Sequence, residues 1–176
     1  RPVALAGIMG GLGSEISENT TDVFLECAYF DPVGIRKTAK RLDLSTDSSY
    51  RFERGVDPEK GLLDALDAAA ALLEQLAGGT VSKGIVDIYP QKITRNPIHL
   101  KVEHVNRLLG ITLDAPTIRN TLKALNIKHL GDDDGEMIFQ GPSYRHDLEI
   151  EADLIEEVGR MYGYENIPAS RYSEVS

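Results

Sequence analysis

The sequence holds one cysteine, Cys27, and no tryptophan among its 176 residues. A single thiol cannot form an internal disulfide, which favours a reducing compartment. No apolar run approaches the roughly 20 residues that a transmembrane helix needs, and no segment resembles a signal peptide. We therefore expect a cytoplasmic protein with no membrane contact. The chain opens on Arg1 rather than on methionine, as expected of a piece of a longer protein.

Positive charge is scarce as well. The chain has 19 Lys and Arg residues against 28 Asp and Glu residues, which gives a formal net charge of −9. A chain of this charge does not attract phosphate backbones through its overall field, so any RNA contact has to be local. The charge balance therefore argues against a free-standing nucleic-acid-binding protein.

The length and patterning of the chain fit two small folding units. Hydrophobic residues make up 41% of the sequence and charged residues 27%, as is typical of globular proteins. The stretch Gln91–Pro97 is polar and carries no periodicity, so we place a domain boundary there. The predicted units are residues 1–90 and 93–169. Each mixes helices with strands, and the predicted fold class is α+β.

In the first unit, Asp31-Pro32 and Asp57-Pro58 both predict a helix start, with Asp as N-cap and Pro at the first helical position. The second helix is predicted to end at Gly78. Three apolar runs predict strands, over Pro2–Ala6, Val23–Ala28 and Val81–Tyr89. Four cations on the first helix favour a solvated face, with RNA contact as the alternative. They are Arg36, Lys37, Lys40 and Arg41.

The second unit is predicted to place two helices before a β-hairpin. Its elements are a strand over His99–Val102, a helix that ends at Gly110, a helix after Asp114, strands over Ile127–Leu130 and Met137–Gln140, and a helix over Ile150–Tyr162. This order is typical of a small winged-helix-like module, although fold alone does not establish function.

The most polar stretch of the first unit runs from Leu44 to Gly55, between the two predicted helices. It is rich in hydroxyl and charged side chains, which are seldom buried without partners. It is either a ligand-binding segment on a rigid frame or an ion-pair network between two helices. We assign Arg51, Glu53 and Arg54 to the structural role, in which paired charges hold the connecting loop.

An acidic cluster marks the end of the second unit. Asp153, Glu156 and Glu157 share one face of the last predicted helix, and Asp147 lies just upstream. Mg²⁺ prefers oxygen ligands, so such a cluster suits this cation. On residue types alone, a solvated acidic face is the alternative.

Five segments of the chain carry a family resemblance. They are Gly7–Gly11, Phe24–Ala28, Thr46–Pro58, Pro142–Asp147 and Gly163–Pro168. The first three closely resemble the β subunits of bacterial phenylalanyl-tRNA synthetases, and the last two resemble the B5 module of the same subunits. A complete β subunit of that family is several times longer, so we expect this chain to be a fragment.

For the first unit, the resemblance implies the C-terminal half of the B3/B4 region, part of a mixed α/β domain that hydrolyses tyrosine wrongly attached to tRNA-Phe. A hydrophobic pocket rejects an added hydroxyl only about a hundredfold, which explains the need for a second site. By resemblance, Glu26 offers the tyrosine hydroxyl a partner and Gly10 leaves room for the ring. Gly7 belongs to the same glycine turn, and Thr46 and Ser48 match positions in the pocket wall.

The resemblance places the family's editing histidine upstream of this chain, so no catalytic residue is expected here and the fragment alone is expected to be inactive. In the second unit, a family pattern associated with a magnesium site shared with the α subunit falls on the acidic cluster. Its residues are Asp147, Asp153, Glu156 and Glu157.

The resemblance also implies the wider assembly. The family is a class II ligase that joins phenylalanine to tRNA-Phe with ATP and works as an α2β2 heterotetramer. The ATP pocket and the synthetic site belong to α. Two alternatives come from other classes: a winged-helix-like nucleic-acid-binding module, and a non-catalytic scaffold that holds the α subunit.

Overall fold

The computed structural model describes residues 2–168, and the chain divides into two compact units, Arg1–Lys92 and Ile93–Ser176. The described residues form six α-helices and two small antiparallel sheets. The predicted α+β class is therefore confirmed. Within the same residues, none of the helices combines the length and apolar character needed to cross a bilayer.

Unit 1 consists of a two-stranded sheet followed by three helices. Its elements are β1 (Ala4–Leu5), β2 (Met9–Gly10), α1 (Pro32–Leu42), α2 (Asp47–Phe52) and α3 (Lys60–Ala77). β1 and β2 pair antiparallel, with Leu5 opposite Met9. The small core of the unit consists of the buried residues Ile8, Ile35 and Ala39.

The helix ends of unit 1 follow capping chemistry. At the start of α1, the Asp31 carboxylate accepts a hydrogen bond of 2.7 Å from the amide of Gly34. α3 begins at Lys60 rather than at the predicted Pro58, because the Asp57 carboxylate accepts from the amides of residues 59 and 61, at 3.0 and 3.1 Å. α3 ends, as predicted, at Gly78 in the left-handed conformation.

The polar stretch between α1 and α3 was predicted to be a connecting loop, and the structure shows the helix α2 instead. Thr46 Oγ1 accepts from the Ser49 amide at 3.0 Å, and Ser49 Oγ accepts from the Thr46 amide at 2.9 Å. This reciprocal pair satisfies two amides that a helix start leaves open. At the other end, Arg54 pairs with Glu53 at 2.8 Å and donates to the carbonyl of Tyr50 at 2.7 Å. These contacts belong to the end of α2 rather than to a bridge between two helices.

Two predicted strands of unit 1, Val23–Ala28 and Val81–Tyr89, are wrong. Both segments run without helix or strand in the structure. A strand needs a neighbour to complete its hydrogen bonds, and among residues 2–92 the only ladder joins β1 to β2. Apolar side chains of both segments are consequently exposed, as at Phe24 (89%) and Val86 (81%).

Unit 2 follows its predicted order closely. Its elements are β3 (Ile98–Leu100), α4 (Val102–Leu109), α5 (Ala115–Ala124), β4 (Lys128–Asp133), β5 (Glu136–Gln140) and α6 (Glu151–Tyr162). β5 lies in the centre of the sheet and pairs antiparallel with β3 on one side and β4 on the other. The β4–β5 turn uses Asp134 and Gly135 at positive φ, which a tight hairpin requires.

The core of unit 2 joins its sheet to all three helices. Phe139 of β5, Val105 of α4, Leu122 of α5 and Leu154 of α6 are fully buried together. Burying a side chain of this size stabilises a fold by about 1.5–3 kcal/mol. The cluster fixes α6, and α6 carries most of the acidic cluster described below.

Candidate ligand cavity and acidic cluster

Unit 1 contains an open cavity of about 480 Å³. Three parts of the chain form its walls: the β1–β2 hairpin, the segment from Glu26 to Phe30, and α2 with the start of α3. Small-molecule sites in proteins commonly have volumes of about 300–1,000 Å³ and mostly apolar walls with a few polar groups. The cavity therefore has the size and lining of a site for a small molecule or a terminal group.

Two glycines of the hairpin, Gly7 and Gly10, line this cavity and play different roles. Gly7 has φ 69°, and a Cβ added there would lie 2.6 Å from Cδ1 of Ile35 and 2.7 Å from Cδ2 of Phe30. Gly10 has no heavy atom within 4 Å of an added Cβ. Gly7 is thus required by packing and backbone conformation, whereas Gly10 leaves open space.

The polar groups of the cavity are few. Glu26 lines it with an exposed carboxylate, and Ser48 of α2 lines it as well. Asp57 is a third polar residue of the lining, and its carboxylate already accepts from two amides at the start of α3. Glu26 is therefore the acceptor best placed for a donor group on a ligand.

Thr46 is the one predicted pocket residue that does not line the cavity. Its hydroxyl donates to the carbonyl of Ile8 at 2.6 Å and caps α2 through the Ser49 amide. It ties α2, and with it Ser48, to the glycine hairpin. The structure thus brings four of the five predicted residues to the lining of one cavity: Gly7, Gly10, Glu26 and Ser48. Thr46 supports the lining through its hydrogen bonds without being part of it.

Sequence reasoning missed the aromatic part of the lining. Phe30 and Phe52 meet edge to face, with ring centroids 4.9 Å apart, and both line the cavity. Such pairs contribute about 0.5–1.5 kcal/mol beyond their burial. The sequence did contain a signal for this packing, since Phe30 directly precedes the N-cap Asp31 of α1. An apolar residue at that position often packs against the first turns of the helix.

The acidic cluster of unit 2 is held by arginines. Arg145 binds Asp147 through two nitrogens, with Nε to Oδ1 at 2.8 Å, and reaches Glu157 at 2.7 Å. Arg160, one turn further along α6, also binds Glu157. The Glu157 side chain is only 9% exposed, so both of its oxygens are paired in a nearly dry environment.

The remaining two carboxylates of the cluster have other roles. Asp153 accepts from the amides of Glu149 and Ile150, both at 2.8 Å, and so caps the start of α6. Glu156 is exposed. Among residues 2–168, no group of three or more His, Cys, Asp or Glu side chains is arranged to hold a metal ion. Carboxylate oxygens suit Mg²⁺, but in this structure those of Asp147, Asp153 and Glu157 are paired with arginines or backbone amides and do not form a metal site.

The ion pairs shift the acid–base equilibria of the cluster. Hydrogen bonds from Arg145 lower the pKa of Asp147, with burial opposing them. Burial is the largest single influence on Glu157 and acts to raise its pKa, but the hydrogen bonds and charges of the two arginines outweigh it and leave the pKa lowered. Both carboxylates are therefore held ionised by their partners.

Comparison with known protein families assigns the two parts of the chain separately. Residues 1–78 match the B3/4 domain, and residues 98–164 match the tRNA synthetase B5 domain. The cavity lies within the first match and the acidic cluster within the second.

Similar proteins cover nearly the whole chain. The phenylalanine–tRNA ligase β subunit of Geobacter sulfurreducens is 49% identical over 95% of this chain, and that of Syntrophus aciditrophicus is 46% identical over 97%. The β subunit of Porphyromonas gingivalis is 42% identical over 99%. In all three cases the chain spans 21% of the relative's length. The chain therefore belongs to the family of phenylalanine–tRNA ligase β subunits and corresponds to about one fifth of such a subunit.

Proposed function

We propose that this chain forms one side of an editing pocket, in which tyrosine wrongly attached to tRNA-Phe is recognised before hydrolysis. The observation that carries the proposal is Glu26, an exposed carboxylate in the lining of a cavity of about 480 Å³ that also contains the rings of Phe30 and Phe52. An aromatic ring that carries one hydroxyl fits such a cavity: the walls take the ring, and the carboxylate accepts from the hydroxyl.

Selection follows from the difference between tyrosine and phenylalanine. In the cavity, tyrosine donates a hydrogen bond to Glu26, whereas phenylalanine would leave a carboxylate facing an apolar ring edge. A hydrogen bond to a charged group contributes about 1.5–3 kcal/mol, which corresponds to a preference of roughly 10- to 100-fold. The pocket therefore favours the molecule that the synthetic site must reject.

Glu26 selects the substrate rather than breaking the ester bond. The first 98 residues contain no histidine, and Asp57 is engaged with the amides of α3. We assign the hydrolytic step to groups supplied by other parts of the enzyme. The role of this chain is to bind the side chain of the misplaced amino acid and to orient the ester.

The wider activity is proposed for the whole enzyme. It comprises ATP-dependent charging of tRNA-Phe in a class II, cytoplasmic α2β2 assembly, with the synthetic site in the α subunit. Relatives that match this chain at 42–49% identity carry the name phenylalanine–tRNA ligase β subunit, and this supports the proposal. Unit 2 would then contact the α subunit.

Magnesium at the acidic cluster is proposed only for the assembled enzyme. Arg145 and Arg160 would have to release Asp147 and Glu157 before these oxygens could serve a cation, and no step of the editing proposal depends on the metal. Metal analysis of the assembled enzyme tests the idea with the double variant Asp153→Ala/Glu157→Ala. Loss of Mg²⁺ is expected, and an unchanged metal content would reject the site.

The decisive experiment for the editing proposal is hydrolysis of tyrosyl-tRNA-Phe by the full-length α–β enzyme. Gly10→Trp should fill the cavity without backbone strain, because an added Cβ at Gly10 meets only open space. Glu26→Ala removes the acceptor and should slow tyrosine clearance about 10- to 100-fold. Both variants should charge tRNA-Phe with phenylalanine normally.

A matched control is Glu18→Trp, which adds an indole at an exposed polar position of unit 1 that does not line the cavity. It should leave tyrosine clearance unchanged. Undiminished clearance by Gly10→Trp would instead make this chain a scaffold and reject the editing pocket. The nucleic-acid-binding alternative gains no support from unit 2, whose β4–β5 hairpin carries three exposed aspartates at its tip, Asp132 to Asp134.

A further inference from the structure

The exposed face of α1 carries a concentrated positive charge that the editing pocket does not use. We call Arg36, Lys37, Lys40 and Arg41 the basic ridge. All four side chains are exposed, and within residues 2–168 none of them forms an ion pair or a side-chain hydrogen bond. The opposite face of the helix buries Ile35 and Ala39 in the core of unit 1, so the ridge is fixed toward solvent.

Helix stability does not explain the whole ridge. Cations in the last turn of a helix are favoured by its dipole, typically by about 0.3–1 kcal/mol, which accounts for Lys40 and Arg41. Arg36 and Lys37 lie a full turn earlier. Each of them sits four residues from another cation of the ridge, an arrangement that costs about 0.2–0.5 kcal/mol per pair. Binding of an anion would offset this repulsion.

The ridge adjoins a groove that runs beside the editing cavity. Arg36 and Lys40 line a hollow of about 260 Å³ between α1 and α2, together with Ser45 and Ser49. Two carboxylates, Asp43 and Glu53, also line it, and Glu53 is paired with Arg54. These carboxylates would repel phosphate, so an anionic chain is confined to the α1 side of the groove.

The short helix α2 contributes residues both to this groove and to the editing cavity. Ser48 and Phe52 line the cavity, whereas Ser49 and Glu53 line the groove. Successive residues lie about 100° apart around a helix axis, because one turn takes 3.6 residues, so the two hollows lie against neighbouring faces of α2. A few linked nucleotides are long enough to run from one face of a helix to the next.

We propose that the basic ridge binds the sugar-phosphate backbone of the single-stranded end of tRNA, and so positions its terminal aminoacyl group in the cavity. The proposal rests on the editing function proposed above. Phosphate contacts supply affinity and register without reading sequence, which suits four unpaired cations on one helix face. The whole chain has a net charge of −9, so an RNA strand requires a local basic patch, and the basic ridge provides one.

The test uses the full-length α–β enzyme with the double charge reversal Lys37→Glu/Arg41→Glu. For hydrolysis of tyrosyl-tRNA-Phe, we expect KM to rise about 10-fold while kcat stays within about twofold, because the ridge contacts the RNA backbone and not the reacting ester. A plot of log affinity for tRNA-Phe against log salt should become shallower by about 1.4, since each of two single-strand phosphate contacts contributes about 0.7.

Two controls isolate the ridge. Lys123→Glu/Lys128→Glu makes the same change in net charge on two exposed lysines of unit 2 and should leave KM and the salt dependence unchanged. The conservative pair Lys37→Arg/Arg41→Lys should retain wild-type values. Should the charge reversal prevent folding, Lys37→Gln/Arg41→Gln removes the same two phosphate contacts. The salt slope should again fall by about 1.4, with a smaller rise in KM because no negative charge is introduced.

The outcomes separate the two proposals. If Gly10→Trp leaves tyrosine clearance intact, the editing function fails whatever the ridge does. If Gly10→Trp blocks clearance but the ridge variant changes neither KM nor the salt slope, the ridge proposal is overturned and the pocket stands. If the ridge variant instead separates the α and β subunits in sedimentation, the ridge binds protein, and the RNA proposal is also overturned.

Discussion

The two units of this chain are similar in length but bury their apolar residues to very different extents. Among the residues that the structure describes, unit 2 packs twelve buried apolar residues into one core, whereas the core of unit 1 has three. The eighteen residues of α3 include none that is buried. Unit 2 therefore closes a core from its own residues, while unit 1 exposes apolar surface that other surfaces must cover. On packing alone, we expect unit 2 to be stable in isolation and unit 1 to depend on surfaces outside it.

The largest effect is expected when the units are separated. A protein of residues 93–168 should unfold in one cooperative transition, because its core is closed. A protein of residues 2–92 should give a broad transition and fast amide exchange in α3, which lacks buried contacts. Calorimetry and hydrogen exchange measure both properties. A sharp transition and strong protection in residues 2–92 would show that unit 1 is self-sufficient.

Core truncation sharpens the same comparison. Phe139→Ala should lower the free energy of unfolding of unit 2 by about 3–5 kcal/mol, because it removes a fully buried ring. Ile35→Ala in unit 1 should cost less, since its small core collapses around the change. Urea denaturation of the two variants provides the values. Leu108→Ala is the control: its side chain is 68% exposed, and a change within about 0.5 kcal/mol is expected.

The arginine–carboxylate network stabilises unit 2 in a pH-dependent way. Arg145→Met should cost about 2 kcal/mol at neutral pH, because it removes charge-assisted bonds to Asp147 and the buried Glu157. The pKa of each carboxyl is lowered in the folded state. This stabilisation is therefore present above the ordinary carboxyl pKa of about 4 and is lost as the pH falls through the folded-state value.

Denaturation of unit 2 at a series of pH values checks that sign. The stability difference between wild type and Arg145→Met should shrink as the pH falls below about 4. Glu103→Gln, at an exposed position of α4, serves as the control and should leave the profile unchanged. A difference that grows in acid would contradict the assignment.

The smallest effect is expected at the cap of α2. Thr46→Val should destabilise unit 1 by about 1 kcal/mol, because it removes the capping acceptor and the hydrogen bond to the Ile8 carbonyl. Ser48→Ala, two residues later and exposed, should change stability by less than about 0.5 kcal/mol. Hydrogen exchange of the Ser49 amide reports the difference, and equal protection in both variants would count against the capping role.

Local signals predicted the helices well because capping is decided within a few residues. Asp31 before Pro32 and Asp114 before Ala115 mark helix starts that the structure confirms. Strands depend on partners far along the chain, so the apolar run Val81–Tyr89 has the pattern of a strand and yet joins no strand ladder among residues 2–92. No spacing rule links Arg145 to Glu157, twelve residues away. Of the predicted pocket residues, the two hairpin glycines, Glu26 and Ser48 line one cavity. That Thr46 instead bonds the Ile8 carbonyl could be seen only in the structure.

The two glycines of the cavity differ in how much change they permit. Any side chain at Gly7 meets Phe30 and Ile35 and must adopt an unfavourable φ, so variation there disrupts the frame itself. Three residues later, Gly10 accepts a side chain into empty space. The chemistry of the cavity can therefore be altered at one position while the scaffold stays the same. Evolution or a protein engineer can retune its specificity there without first having to restabilise the fold.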